Sequence, residues 1–288
     1  MLLEHRLGRE FPYDSVVVVS PHPDDSCIAA GGLLFRLSRE NPRCRVHVIV
    51  MTSGHRGVTD EYLHTVLARS EVPATLSPKD RKRGLSLLNK KKRRRISIEE
   101  HHELSEMKAR IRRHEVDEES RILCFTPHYL NLSIYDRHSV TEADRRRLSS
   151  TLKRINAEGR RHLLIHPGSY DIHETHRLCS HLIRNVIDSL YPEVYERWAY
   201  ESPWTQVHIR SDIIVPLSDD ALAHKIRATC VHRSQTDRTP YARLVEGNAT
   251  MNAAVLSEIL SSFDANHACR LGKHAEVFAR QNDRTVYV

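Results

Sequence analysis

The pattern of apolar and polar residues along the chain contains a run of four consecutive valines at positions 16–19. Such a run predicts a strand covered on both faces, because β-branched side chains suit a fully buried sheet. Pro21 and Pro23 end the run, since proline cannot continue a strand ladder. Apolar residues at roughly helical spacing then predict a helix over 26–40. We therefore expect a buried strand, a polar turn and a helix.

Short apolar runs and amphipathic stretches alternate along the rest of the chain. Further strands are predicted at 45–52, 121–126, 162–165 and 207–215, and helices at 98–114, 140–157, 174–190, 219–230 and 252–263. This alternation is typical of a mostly parallel sheet. No break in composition divides the chain. The sequence predicts one α/β domain over 1–288, Rossmann-like, with helices on both faces of the sheet.

The least regular part of the pattern, about 58–99, carries a dense basic block. Positions 90–95 alone are Lys-Lys-Lys-Arg-Arg-Arg, and the net charge of the chain is +7. Such a block is usually a solvated face, but it also attracts nucleic acid or phosphorylated sugars. No aromatic residue interleaves it, so it offers no stacking platform for single strands. We expect a basic insertion or active-site flap at about 62–113.

Composition excludes several classes of protein. An apolar content of 40% and a charged content of 28% are ordinary for a globular chain. No apolar run approaches the roughly 20 residues of a membrane helix. The first 14 residues lack the apolar core of a signal peptide. We expect a cytoplasmic protein without a membrane span, and the sequence does not constrain its oligomeric state.

Residue types that bind metals stand where two predicted strands end. His22, Asp24 and Asp25 follow the valine strand, and His173 and His176 follow a later one. In open α/β sheets, ligands bind at the carboxyl ends of the strands. Zinc hydrolases hold their metal with three protein ligands and leave a fourth position for water. The first cluster can supply two ligands, and either histidine of the second can supply another.

These motifs resemble those of the PIG-L/LmbE-like zinc deacetylases, which remove N-acetyl groups from glucosamine-containing substrates. The family's His-Pro-Asp-Asp motif corresponds to 22–25, its His-x-x-His segment to 173–176, and a late Lys-x-x-Ala…His-x-Ser-Gln segment to 225–235. The stretch 52–61 is most similar to the diacetylchitobiose deacetylase branch. The resemblance spans about 16–235.

The resemblance implies a role for each residue of the two motifs. His22, Asp25 and His176 would ligate zinc, and Asp24 would be the general base. His173 would stabilise the tetrahedral intermediate or protonate the leaving amine. These roles suit zinc chemistry, since the metal can lower the pKa of bound water to about 7 and a neighbouring carboxylate can take the proton.

Two further residues are candidates for substrate contacts: Arg56, in the turn after the second strand, and His232 of the late segment. The chain also departs from the family pattern. Ser26 stands where the first motif usually has Glu, and Thr175 precedes the last histidine where many relatives have Asp. The ligand set is complete, whereas the residues that support it differ.

The leading hypothesis is a zinc-dependent N-deacetylase that acts on an N-acetylglucosamine-type substrate by attack of metal-bound water. An acidic or phosphorylated amino sugar is one form that this substrate could take. One alternative is an amidase for another N-acyl substrate. The other is a catalytically altered family member whose basic segment binds a polyanion, either nucleic acid or a phosphorylated sugar. A His-Asp-His set also accepts other divalent ions, so zinc is not the only metal that fits.

Overall fold

The four valines lie in strand β2, Ser15–Ser20, near the middle of an open sheet. The computed structural model describes residues 3–4, 7, 11–69, 75–157, 161–191, 195–200, 202, 212–236, 240–261 and 272–281. The other strands within these ranges are β1 (Leu3–Glu4), β3 (Arg45–Val50), β4 (Thr126–Tyr129), β5 (His162–Pro167), β6 (Tyr195–Tyr200), β7 (Ile213–Leu217) and β8 (His274–Arg280). Their order across the sheet is β1-β7-β8-β6-β5-β2-β3-β4.

The sheet is mostly parallel. Strand β2 pairs in parallel with both β3 and β5, so that Val17 stands opposite His47 on one side and Leu164 on the other. Only β8 runs against its neighbours β6 and β7 within the described sheet. The predicted mostly parallel sheet is confirmed.

Helices cover the sheet and connect its strands. They are α1 (Asp25–Glu40), α2 (Asp60–Ala68), α3 (Pro78–Lys92), α4 (Ile98–Leu123), α5 (Ile134–Arg137), α6 (Glu142–Asn156), α7 (Glu174–Leu190), α8 (Asp219–Cys230), α9 (Arg233–Thr236) and α10 (Tyr241–Ser261). A 3₁₀ turn, His55–Gly57, follows β3. No helix in the described ranges is both long enough and apolar enough to cross a membrane.

The valines explain why both faces of the sheet are covered. Successive side chains of a strand point to opposite faces. Val16 and Val18 pack in one core cluster with apolar residues of α1 and α8, and Val17 and Val19 pack in another with residues of α6 and α7. All four valines are fully buried, which stabilises the fold by roughly 1.5–3 kcal/mol for each side chain. The helices therefore lie on both faces, as predicted.

The region 58–99 is more regular than the sequence analysis predicted. Apart from 70–74, which lies outside the described residues, most of it belongs to α2 and α3. These helices and the first part of α4 enclose a core of their own, built largely from leucines: Val58, Leu63, Val66, Leu67, Leu76, Leu87, Leu88, Leu104, Met107 and Ile111. Capping boxes at Ser77 and Ser97 start α3 and α4 and are the sequence signal for this order.

Many cations of the basic block are paired. Arg83 lies 2.8 Å from Glu103, Lys90 2.5 Å from Glu100, and Arg110 2.9 Å from Asp80. Solvent screens exposed pairs of this kind, so they contribute little to stability. Residues 92–95 make no ion pair with any other described residue.

Other predicted bounds need correction. The strand predicted at 121–126 was wrong, because α4 continues to Leu123 and β4 begins only at Thr126. Strands β6 and β8 were not predicted. Of the strand predicted at 207–215, positions 207–211 lie outside the described residues, and β7 runs over Ile213–Leu217.

Candidate active site

The predicted site residues meet at the carboxyl edge of the sheet. His22 and Asp24 lie in the turn after β2, and Asp25 is the first residue of α1. His173 is the N-cap residue of α7, which follows β5, and His176 lies in the first turn of that helix. Because β2 and β5 are parallel neighbours, their carboxyl ends bring the two clusters together.

The turn after β2 is held by hydrogen bonds to its own backbone and to the next strand. The Ser20 hydroxyl donates to the carbonyl oxygen of His22 at 2.6 Å and accepts from the backbone N–H of Ser26 at 3.1 Å. The Thr52 hydroxyl, just after β3, donates to the carbonyl oxygen of Pro21 at 2.7 Å. The backbone that carries His22 and Asp25 is therefore fixed on both sides.

Three ligand-type atoms converge at this edge: Nδ1 of His22, Oδ2 of Asp25 and Nε2 of His176. The carboxylate oxygen lies 3.2 Å from the first nitrogen and 3.1 Å from the second, and the nitrogens are 3.1 Å apart. Ligand atoms bound to tetrahedral zinc at about 2.1 Å are about 3.4 Å from one another. The three atoms therefore fit a single small cation.

The charges around His176 also favour a cation. Burial opposes a positive ring, but the carboxylates of Asp25 and Asp171 outweigh it and raise the pKa of His176. Burial likewise opposes ionisation of Asp25, but the positive ring of His176 lowers the pKa of this carboxyl well below its ordinary value. The carboxylates of Asp25 and Asp171 thus flank the ring of His176, at Nε2 and at Nδ1, and either a proton or a divalent ion can supply the positive charge between Nε2 and Asp25.

Asp171 orients His176 and was missed by the sequence analysis. Its Oδ2 accepts from Nδ1 of His176 at 2.8 Å, and its Oδ1 accepts from the backbone N–H of His173 at 2.8 Å. A ring whose Nδ1–H is held by a carboxylate has Nε2 free as a lone-pair donor. Asp171 therefore holds the ring of His176, and its bond to His173 is to the backbone alone. Its place two residues before His173 was the signal available in the sequence.

We expect Asp171→Asn to weaken metal binding about 10–100-fold, because the amide no longer fixes the tautomer and orientation of His176. Competition with a chromophoric chelator measures the dissociation constant. Asp220→Asn is the control, since Asp220 lies in the first turn of α8 with 70% of its side chain exposed. Equal affinities of Asp171→Asn and the wild type would contradict the orienting role.

His173 is exposed beside the three converging atoms. Its ring centroid lies 4.7 Å from that of His22 and 5.1 Å from that of His176. Nitrogen atoms of these three rings fall within 4.8 Å of one another, so His173 is a further potential ligand. Partial burial and the rings of His22 and His176 lower the pKa of His173. Glu174 does not orient this ring, because its carboxylate pairs with His138 at 2.8 Å.

Arg56 lies at the rim of the site with two residues that were not predicted. Its guanidinium stands 3.3 Å from the carboxylate of Asp136 and lies over the ring of Tyr135, 5.3 Å from the centroid. The ring of Tyr135 makes an edge contact with His22, with centroids 5.6 Å apart. Tyr135 and Asp136 belong to α5, which follows β4 in a segment for which no element was predicted.

His232 lies away from the rim. Only 1% of the residue is exposed, and its Nε2 lies 2.9 Å from Oε2 of Glu119. Oε1 of the same glutamate accepts from the hydroxyl of Ser26 at 2.8 Å. Ser26 and His232 are therefore both bonded to one buried carboxylate of α4. This burial gives no support to the prediction that His232 contacts the substrate.

Comparison with known proteins places the chain in a family. Residues 17–187 match the family model PIG-L, described as GlcNAc-PI de-N-acetylase. The chain belongs to the PIG-L family. The matched segment contains both predicted motifs, from His22 to His176, whereas His232 lies beyond it. The family match supports a deacetylase, an enzyme of the hydrolase class.

One curated relative and two solved structures extend the comparison. The relative, a glucosamine-6-phosphate deaminase-like protein of Bacteroides thetaiotaomicron, is 27% identical over 263 residues, which cover 82% of this chain and 38% of the relative. The chain therefore spans well under half the length of that protein.

The two solved structures share the fold. GalB, the 4-carboxy-2-hydroxymuconate hydratase of Pseudomonas putida KT2440, has a TM-score of 0.64 and 15% identity, covering 96% of this chain and 99% of GalB. The N,N'-diacetylchitobiose deacetylase of Pyrococcus horikoshii has a TM-score of 0.57 and 19% identity, covering 94% and 84%. Because one is a hydratase and the other a deacetylase, fold alone does not identify the reaction.

Proposed function

We propose that this PIG-L family protein is a zinc-dependent N-deacetylase that acts on N-acetylglucosamine-type substrates. The observation that carries the proposal is the convergence of His22, Asp25 and His176, with interatomic distances of 3.1–3.2 Å. These residues would hold the metal, and Asp171 would keep His176 in the ligating tautomer. When bound, zinc supplies a Lewis acid that activates water and polarises an amide carbonyl.

The remaining residues have distinct tasks in the proposed reaction. Asp24 accepts a proton from the attacking water as the C–O bond forms. His173, exposed next to the ligands, either donates a hydrogen bond to the carbonyl oxygen while Asp24 passes its proton to the leaving nitrogen, or donates a proton to that nitrogen itself. The C–N bond then breaks, and the products are acetate and a free amine. Arg56, at the rim beside Tyr135, is in position to meet the hydroxyl groups of a bound sugar.

An amino sugar is the proposed substrate class. The curated relative and the solved deacetylase are named for glucosamine 6-phosphate and for N,N'-diacetylchitobiose, both amino sugars. N-acetylglucosamine 6-phosphate therefore joins N-acetylglucosamine and diacetylchitobiose as a candidate. We also propose a closer link to the diacetylchitobiose deacetylase branch. The proposal further includes a single domain over 1–288 with a basic insertion at about 62–113.

Acetate release from these three sugars tests the proposal. The zinc-loaded protein should release acetate and a primary amine in equal amounts from at least one of them, and excess chelator should stop both. N-acetylated amino acids in the same panel test the alternative of an amidase for another N-acyl substrate. If no sugar is cleaved and an N-acetyl amino acid is, the sugar assignment is wrong.

A polyanion-binding protein stays an alternative hypothesis. Residues 92–95 have no ion-pair partner in the part of the chain that the structure describes. The neighbouring cations are paired, as is usual for a solvated helix face. These contacts give the hypothesis no advantage over the deacetylase.

A further inference from the structure

Helix α4 places one buried guanidinium, that of Arg112, between two carboxylates. Its Nη2 donates to Oδ1 of Asp24 at 2.8 Å, and its Nη1 donates to Oε2 of Glu115 at 2.9 Å. Arg112 is 2% exposed. We propose that Arg112 is a positioning residue that fixes the carboxylate of Asp24 for proton transfer. This inference rests on the proposed function, in which Asp24 is the general base.

The contact between Arg112 and Asp24 leaves one carboxylate oxygen available. Arginine often binds a carboxylate through two parallel hydrogen bonds, which occupy both oxygens. Here the guanidinium divides its two terminal nitrogens between Asp24 and Glu115, so only Oδ1 of Asp24 is engaged. Oδ2 of Asp24 has no hydrogen-bond partner among the residues that the structure describes. This oxygen is therefore free to accept a proton while the other anchors the group.

Glu115 holds the far side of the guanidinium. It lies three residues after Arg112 on the same face of α4 and accepts from both the backbone N–H of Ser234, at 2.7 Å, and its hydroxyl, at 2.8 Å. Although burial alone would lower the pKa of Arg112, the charges of Asp24 and Glu115 raise it. The guanidinium is thus charged and fixed at both ends.

Gly54 allows Arg112 to approach the turn that carries Asp24. This residue has φ of 63° and stands just before the 3₁₀ turn that follows β3. A Cβ at position 54 would lie 2.6 Å from Cδ of Pro23 and 3.1 Å from Nε of Arg112. Glycine is required there both for the backbone conformation and for the close packing. Residues from three separate parts of the chain therefore fix the orientation of Asp24: Gly54, the α4 pair Arg112 and Glu115, and Ser234.

The test uses Arg112→Lys, because lysine keeps the positive charge but its single ammonium cannot reproduce the planar fork that joins two carboxylates. We expect kcat to fall about 100-fold, the effect of a misplacement of about 1 Å, with KM and metal content unchanged. In an Asp24→Asn background the same change should have little further effect on the residual kcat, because the base it positions is absent. A merely structural role would not produce this dependence on Asp24.

Arg110→Lys is the matched control. Arg110 lies two residues away on α4 and pairs with Asp80 in the helical insertion, at 2.9 Å. It should retain the kcat of the wild type. A crystal structure of Arg112→Lys provides a second readout, in which the Asp24 carboxylate should have left its wild-type position.

Several outcomes would overturn the inference while the proposed function stands. The first is an unchanged kcat for Arg112→Lys together with an inactive Asp24→Asn. The second is a higher KM for Arg112→Lys at constant kcat. The third is an equal loss of kcat when Arg112→Lys is made in the wild-type and in the Asp24→Asn protein. If the wild type itself cleaves none of the substrates, the proposed function fails. The crystal structure then decides the positioning role alone, and an unmoved Asp24 carboxylate in Arg112→Lys would contradict it.

Discussion

Asp24→Asn should lower kcat for acetate release by about 10²–10⁴-fold while the metal stays bound, because general acid–base catalysis contributes about that much. Asparagine matches aspartate in shape and can still accept the hydrogen bond that Arg112 donates to Oδ1. It cannot take a proton from water at neutral pH. Steady-state kinetics and the metal content of the same preparation give both quantities.

Asp220→Asn is the control for this prediction. Asp220 lies in the first turn of α8, with 70% of its side chain exposed, and its replacement should change neither quantity. An Asp24→Asn protein with the kcat of the wild type would show that another group is the base. Loss of the metal from Asp24→Asn would show that Asp24 is a ligand and not the base.

His176→Ala should lose stoichiometric metal binding and at least about 10³-fold in kcat, since the Lewis acid contributes several kcal/mol to lowering the barrier. The residue is 3% exposed and lies between Asp25 and Asp171, with its Nε2 at the point where the ligand atoms converge. Metal analysis after dialysis and a kinetic assay measure the two losses.

His173→Ala is the matched variant, because His173 lies three residues earlier and its nitrogens are close to those of His22 and His176. It should keep the metal and lose only activity. If His173→Ala loses the metal and Asp25→Asn keeps it, the three histidines form the ligand set and the assignment of Asp25 is wrong.

Local sequence patterns predicted the elements in which apolar residues mark the buried positions clearly. The valine run of β2 and the apolar spacing of α7 and α8 fixed those elements, and the predicted bounds of both helices match the structure. The run at 121–126 misled the prediction because Leu123 continues the buried stripe of α4 from Val116. Strands β6 and β8 carry too many polar residues for their type to be evident.

The residues of the candidate site likewise divide into those that the local sequence indicates and those that it does not. The spacing of His22, Asp24 and Asp25 within one turn is a local signal, and it predicted all three residues. Asp171 is also close in sequence to His173 and His176, but its immediate neighbours do not indicate which of the two histidines it orients. Arg112 could not be predicted, because its contact with Asp24 joins residues 88 positions apart and depends on how α4 packs beside the sheet.

Metal stoichiometry and acetate release, measured on one preparation of the wild-type protein, test the central claim most directly. The protein is assayed as isolated, after removal of metal by a chelator, and after zinc is restored. We predict about one zinc per chain, acetate release that disappears with the metal, and recovery when zinc returns. A protein that binds no zinc even when it is supplied in excess, or that releases acetate equally well without metal, would contradict the account.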